Sequence, residues 1–245
     1  MPGIIFLLQF IMAVIMLPAH ILNYLGIWDS FIRKCFPFFM NIFSDIYHKF
    51  MEDQKRRLFS NISDFSCDSK ELRLLELGCG TGANFKFYPR GCKVTCLDIN
   101  PNFQKFLSKS QAENDHLTHE RFLVASADNM TPVADGSMDV VACTSLTCSV
   151  LNTPAVLKEI QRVLRPGGAF YFMEHVADPD ESSWISFFQK VLNPSWKLIF
   201  AGCSIRKTTW KDLENAKFSV LNLRHITGPL PLNVVIPHII GYAVK

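Results

Sequence analysis

Seven residues constrain this chain more than any others: Glu76-Leu-Gly78-Cys79-Gly80-Thr-Gly82. They follow a short apolar run, Leu72–Leu77, that reads as a buried strand, and they are expected to open a helix. Glycines at alternate positions allow a tight turn and let a ligand come close to the backbone. The familiar pyrophosphate-binding spacing is G-x-G-x-x-G, in which a helix N-terminus faces the phosphates. Here the spacing is G-x-G-x-G, and an acid, Glu76, stands two residues before the first glycine. A carboxylate there would repel a pyrophosphate and would suit a ligand carrying an ammonium and a sulfonium.

Two further acids follow the same logic. Asp98 ends the second strand-like run, Lys93–Asp98, where its carboxylate could accept both hydroxyl protons of a ribose. Asp128 follows the third run, Arg121–Ala125, in the sequence Ser-Ala-Asp128-Asn129-Met130, placed for an adenine amine with the backbone of Asn129 or Met130 beside it. Each acid alone could be a solvated loop residue. Three in order, each at the C-terminal end of a successive strand, form a binding edge. The fourth and fifth runs are Asp139–Thr144 and Ala169–Glu174, with helical stretches at Asn102–Asn114 and Pro154–Leu164 between strands. Strand and helix in alternation imply a parallel sheet with right-handed crossovers. The tail breaks the pattern: Phe218–Leu223 and His238–Val244 are β-like, have no helix between them, and suit an antiparallel pair at a sheet edge.

The chain's 245 residues are 49% hydrophobic and 19% charged, which excludes a disordered protein. A net charge of +3 is too small to make nucleic acid the expected partner. The eight cysteines, Cys35, Cys67, Cys79, Cys92, Cys96, Cys143, Cys148 and Cys203, include no CxxC pair and no Cys/His group with zinc spacing, so no metal is expected. Several lie in strand-like runs, which suits a reducing compartment.

The N-terminus is a separate problem. Met1–Trp28 contains no Lys, Arg, Asp or Glu. It lacks the positive start and cleavage site of a secretory signal, so it reads as a retained hydrophobic membrane anchor over residues 1–28. As one helix it would rise roughly 40 Å, against a hydrocarbon core of about 30 Å. Pro18 divides it, so a kinked span and a shallow hairpin or interfacial insertion both remain open. Trp28, Phe36, Phe38 and Phe39 continue as an interface-like belt. Residues 29–70 read as an amphipathic connector with helical stretches, including Ile46–Ile62, and its excess of basic residues favours the cytosolic side. The third unit spans residues 71–245.

Together with Leu97-Asp98, Asp135-Gly-Ser-Met-Asp139 and Val163-Leu-Arg-Pro-Gly-Gly168, the glycine loop resembles class I S-adenosylmethionine-dependent methyltransferases. That resemblance implies an α/β, Rossmann-like, seven-stranded, mostly parallel sheet with an antiparallel C-terminal strand pair. More narrowly, GCGTGANFKFYP at Gly78–Pro89, Trp210–Ala216 and the terminal Pro237-His-Ile-Ile-Gly-Tyr-Ala-Val-Lys245 are similar to the methyltransferase-like 7 family of membrane-anchored alkyl thiol S-methyltransferases. The similarity covers essentially the whole chain. It implies S-adenosyl-L-methionine held by Glu76, Gly78, Cys79, Gly80, Gly82, Asp98, Asp128, Asn129, Met130 and Thr144. It also implies a small lipophilic thiol as acceptor, and a place at the endoplasmic reticulum membrane and lipid droplets with the catalytic domain facing the cytosol. Two stretches depart from the family pattern: Ser145-Leu-Thr147-Cys-Ser where an apolar run is expected, and Asp128-Asn-Met for Glu-Asp-Met. The first bears on acceptor preference.

His175, after strand five, is the candidate base for a thiol, and is equally readable as a structural histidine. Cys148 as a covalent relay is a weaker candidate. The apolar stretch Ser182–Phe200 reads either as an acceptor lid or as ordinary amphipathic packing. Other acceptors (a lipid, a quinol or an RNA adenosine) and a non-catalytic lipid-droplet protein stand as alternatives.

Overall fold

The computed structural model describes residues 2–66, 71–229 and 233–245, so Cys67 and the end of the expected connector lie outside it. Seven strands form one sheet: β1 (Arg73–Leu77), β2 (Lys93–Asp98), β3 (Thr118–Val124), β4 (Met138–Thr144), β5 (Leu164–His175), β6 (Val220–Thr227) and β7 (Pro237–Val244). Their spatial order is β3-β2-β1-β4-β5-β7-β6. The first five run parallel, and β7 is antiparallel to both β5 and β6. This is the mixed sheet the sequence predicts.

The central strands are apolar on both sides because both faces are covered. Leu74 of β1 joins Tyr171, Phe85, Met51 and Phe59 on one face. Leu75 and Leu77 join Val156, Leu157 and Ile160 on the other, beneath α5 (Thr153–Val163). The edge strands β3 and β6 are more exposed. α4 (Gln104–Glu113) follows β2, and α6 (Trp184–Ile199) and α7 (Thr209–Asn215) separate β5 from β6.

Among the described residues three α-helices precede the sheet: α1 (Pro2–Ile15), α2 (Leu17–Tyr24) and α3 (Ile27–Leu58). Trp28, the expected end of the anchor, is the second residue of α3. The helical stretches expected of the connector are one helix up to Leu58, which runs unbroken through Pro37. A proline inside a helix cannot donate to the carbonyl four residues back. For Pro37 that carbonyl belongs to Arg33, and it accepts instead from Asn100 Nδ2 at 2.9 Å and Asn102 Nδ2 at 3.2 Å. α6 repeats the device: Pro194 leaves the carbonyl of Lys190 without its helical donor, and Gln9 Nε2 of α1 fills it at 2.8 Å. Trp28 Nε1 donates to Leu198 O in the last turn of α6, also at 2.8 Å. The N-terminal helices are thus docked onto the sheet domain through backbone groups that two prolines and one helix end leave open.

The glycine loop differs from expectation. No α-helix follows Gly82; the chain turns and forms a single 3₁₀ turn at Phe85–Phe87. Gly82 at φ +79° and Pro89 bracket too few residues for a helix, and the Asn84 side chain is turned inward to buried partners.

Candidate active site

The site lies at the C-terminal ends of β1, β2, β4 and β5, where open α/β sheets bind ligands. Gly78, Gly80 and Gly82 all have positive φ, at 61°, 50° and 79°. Gly78 and Cys79 donate their N–H groups to Leu97 O at 2.8 and 3.3 Å, which seats the loop against the end of β2. A Cβ at Gly78 would meet Leu146 at 3.0 Å, whereas one at Gly80 would meet nothing closer than 3.8 Å. Gly80 is therefore the open floor of the loop.

Asp98 is buried, and its carboxylate accepts from Gly80 N at 3.1 Å and Asn100 N at 2.9 Å. Burial holds its pKa above the ordinary carboxylate value, although both N–H donors oppose that rise. Each oxygen has taken one donor, which leaves lone pairs for a ribose diol. The open glycine floor and this carboxylate fit a nucleoside that carries a vicinal diol.

Glu76 is also buried, and its partners come from an unexpected place. Asn84 Nδ2 donates to Glu76 Oε1 at 2.6 Å, and Tyr88 donates its hydroxyl to Oε2. Asn84 Oδ1 in turn accepts from Lys55 Nζ of α3 at 2.6 Å, and Asn84 Nδ2 also reaches Thr144 Oγ1 at 3.0 Å. Burial pushes the Lys55 ammonium down and the Glu76 carboxyl up, and their mutual attraction opposes both shifts. Glu76 thus acts first as an anchor for the glycine loop.

At the far side of the site, Tyr47 of α3 places its hydroxyl 3.1 Å from His238 Nε2 and 3.5 Å from Ser145 Oγ. Ser145 is a non-glycine residue at φ +58°, and its N–H donates to Met173 O at 3.0 Å. His175 and His238 face each other across β5 and β7. His175 Nε2 lies 3.2 Å from Cys203 Sγ, which also accepts from Trp196 Nε1 at 3.3 Å. Burial disfavours the charged imidazole, but the sulfur of Cys203 outweighs it and holds the His175 pKa above its ordinary value. Cys203 is held well below the usual thiol range, chiefly by a hydrogen bond from Cys148, whose own thiol is correspondingly raised.

A methyltransferase-domain profile matches residues 75–172. Thiol S-methyltransferase TMT1A of Homo sapiens is 58% identical over 224 residues, covering 91% of this chain and 91% of that protein. Thiol S-methyltransferase TMT1B of Homo sapiens is 51% identical, covering 98% of each. The chain belongs to the thiol S-methyltransferase family. Among solved structures, a geranyl diphosphate methyltransferase in complex with GPP and sinefungin superposes with a TM-score of 0.60 at 18% identity, over 80% of this chain and 78% of that one. This likeness concerns the fold.

In this thiol S-methyltransferase family member the sequence-predicted residues divide into two groups. Glu76, Gly78, Cys79, Gly80, Asp98 and Thr144 are joined by the contacts above, and Gly82 donates its N–H to Cys79 O at 2.8 Å. Asp128, Asn129 and Met130 lie on the neighbouring loop: β2–β3 register pairs Asp98 with Val124, four residues before Asp128. Asp128 and Asn129 are exposed, and Asp128 accepts from Ser126 Oγ at 2.5 Å. Met130 is buried, its N–H held by Glu159 Oε2 at 2.7 Å and its carbonyl by Arg162 Nη2 at 2.9 Å. Sequence reasoning missed Lys55, Asn84, Tyr47 and His238. Lys55 did leave a signal, since Met51, Lys55, Leu58, Phe59 and Ile62 form an apolar helical stripe with one lysine in it.

Proposed function

We propose that this chain transfers the methyl group of S-adenosyl-L-methionine to small lipophilic alkyl thiols at the endoplasmic reticulum membrane or lipid droplets, with its sheet domain in the cytosol. The observation that carries this reading is the 58% identity to a thiol S-methyltransferase, extending over nine-tenths of both chains. Asp98 and the Gly78–Gly82 loop would hold the nucleoside of the cofactor, with Asp128, Asn129 and Met130 at its base. Bound there, the cofactor supplies an electrophilic methyl on a sulfonium.

The protein's part is alignment and exclusion of water. The acceptor must also be a thiolate, and a free thiol has a pKa of about 8.5. His175, the candidate base, has its Nε2 on Cys203. Its other ring nitrogen, Nδ1, is buried and has no hydrogen-bond partner among the described residues. Atoms balance simply: the acceptor sulfur gives an electron pair to the methyl carbon, the carbon–sulfonium bond breaks onto the leaving thioether, and the thiol proton goes to solvent.

The apolar N-terminus supports the membrane assignment. No single described helix is long and apolar enough to cross a bilayer. α1 and α2 pass by length and composition only as a pair, bent by 71°. Phe6, Phe10, Ile11, Val14 and Ile15 are exposed on α1, and Trp184 and Phe188 are exposed on α6, against which α1 packs. These features favour shallow insertion over a straight span. An assay of purified protein with labelled cofactor and a panel of alkyl thiol, phenol, amine and RNA acceptors tests the reaction. Transfer to phenols or RNA in preference to thiols would overturn it.

A further inference from the structure

Three side chains that the sequence spacing kept apart converge at the C-terminal ends of β4 and β5. Cys148 lies in the loop after β4, His175 ends β5, and Cys203 follows α6. Their two sulfurs and an imidazole nitrogen all lie within 4.8 Å of one another. The exposures are 2%, 8% and 9%, so the group is enclosed. The backbone fixes the arrangement, because Ser204 N donates to Cys148 O at 2.9 Å and holds the two cysteine loops together. Trp196 Nε1, 3.3 Å from Cys203 Sγ, supplies the kind of N–H donor that steadies a thiolate ligand.

Two thiolates and an imidazole are a soft, borderline donor set that selects zinc-class divalent ions. A tetrahedral zinc ion, at about 2.3 Å from sulfur and about 2.0 Å from nitrogen, needs ligand atoms roughly 3.5–3.8 Å apart, against 3.2 Å for the His175–Cys203 edge and at most 4.8 Å for the others. Charge is favourable as well. Two thiolates neutralise a dication, so the loaded site adds no net charge to the interior. Catalytic zinc sites keep three protein ligands and one open position, and Cys₂His is one of their known forms. The triangle is also well placed: Leu146, two residues before Cys148, is the side chain that packs on Gly78 of the glycine loop.

We propose that Cys148, His175 and Cys203 bind one zinc-class divalent cation, and that the acceptor thiol enters as its fourth ligand. The fourth-ligand role rests on the thiol-acceptor reading above; the metal site does not. On entering, the acceptor R–SH gives its proton to solvent and coordinates as R–S⁻. The metal keeps its oxidation state throughout. The added thiolate makes the site anionic, which leaves electron density on the sulfur for transfer to the methyl carbon.

The full chain, purified without chelator and reconstituted with zinc, is measured by elemental mass spectrometry. The expected result is about one zinc per chain, falling to a small fraction in Cys203→Ser and in Cys148→Ser, and unchanged in Cys35→Ser at an exposed position. Cobalt replaces zinc for the second measurement: its thiolate charge-transfer band should intensify when an alkyl thiol is added. Wild-type protein that takes up no zinc, yet methylates thiols, overturns the metal site and leaves the thiol reading intact. Loaded protein whose cobalt spectrum ignores the thiol overturns the fourth-ligand role. Loaded protein that methylates phenols and not thiols supports the site and overturns the thiol reading.

Discussion

Gln9 Nε2 and the carbonyl of Lys190 stand 2.8 Å apart, 181 positions from each other in the chain. The acceptor is available because Pro194 has no N–H to give it. Replacing Gln9 with Leu should cost about 0.5–1.5 kcal/mol, the worth of one partly buried hydrogen bond. In a Pro194→Ala background the helix supplies its own donor, so the same Gln9→Leu change should cost clearly less. Denaturant unfolding of the four proteins measures that coupling. Strictly additive costs would show that Gln9 does not serve the carbonyl that Pro194 leaves open.

Asp98→Ala should abolish high-affinity cofactor binding. Two charge-assisted hydrogen bonds to the ribose, at about 1.5–3 kcal/mol each, amount to a loss on the order of 10²–10⁴ in affinity. Calorimetry on the folded variant decides the matter, and near wild-type affinity would remove Asp98 from the ribose.

Asn84→Ala strips one amide from three groups at once: Lys55, Glu76 and Thr144. Leaving two buried ionisable groups without their shared partner should destabilise the fold by about 3–5 kcal/mol. An unfolding curve shifted by less than about 1 kcal/mol would mean that water or Tyr88 replaces the amide with little loss.

Polar replacements at Phe6, Phe10 and Ile11, all exposed, should leave the fold and cofactor binding intact while weakening membrane association. Burying a large apolar side chain is worth about 1.5–3 kcal/mol, so the triple variant should leave the floating fraction in vesicle flotation. A triple variant that still floats after a high-salt wash would place the membrane contact elsewhere.

The loop carrying Asp128–Met130 should show an acid dependence through Glu159. Hydrogen bonds from Arg162, ahead of the one from Met130 N, hold the Glu159 pKa below its ordinary value. A carboxylate depressed on folding stabilises fully above its unfolded pKa, about 4.3, and loses that contribution as pH falls through the folded value. Unfolding midpoints of wild type and Glu159→Gln should therefore differ at pH 7 and converge towards pH 3.5. A constant gap across that range would detach the effect from Glu159 ionisation.

Local chemistry made much of this molecule legible. β2 begins at Lys93 and ends at Asp98, as read, because a polar residue closes each end of an apolar run. The positive φ of Gly78, Gly80 and Gly82 was legible in the residue type itself, whereas the missing helix after Gly82 was not. β3 begins at Thr118 and β5 at Leu164, earlier than their apolar runs, because pairing with β2 and β4 recruits polar and glycine residues that propensity disfavours. α3 runs through Pro37, a residue that by itself interrupts the helical hydrogen-bond ladder. What repairs it, Asn100 and Asn102, is supplied by the fold. The meeting of Cys148, His175 and Cys203 left no trace in spacing, since three separate loop and strand ends create it.

α3 has a consequence for how this enzyme could be divided or recombined. The matched catalytic profile starts at residue 75. Yet Arg33, Tyr47 and Lys55 all lie upstream of it, and they touch Asn100 just after β2, Ser145, and Asn84 just after the glycine loop in turn. A graft or truncation at the profile boundary would carry the glycines and Asp98 and leave behind the helix that holds them. The helix that supports the glycine loop and the loop itself therefore have to be moved together.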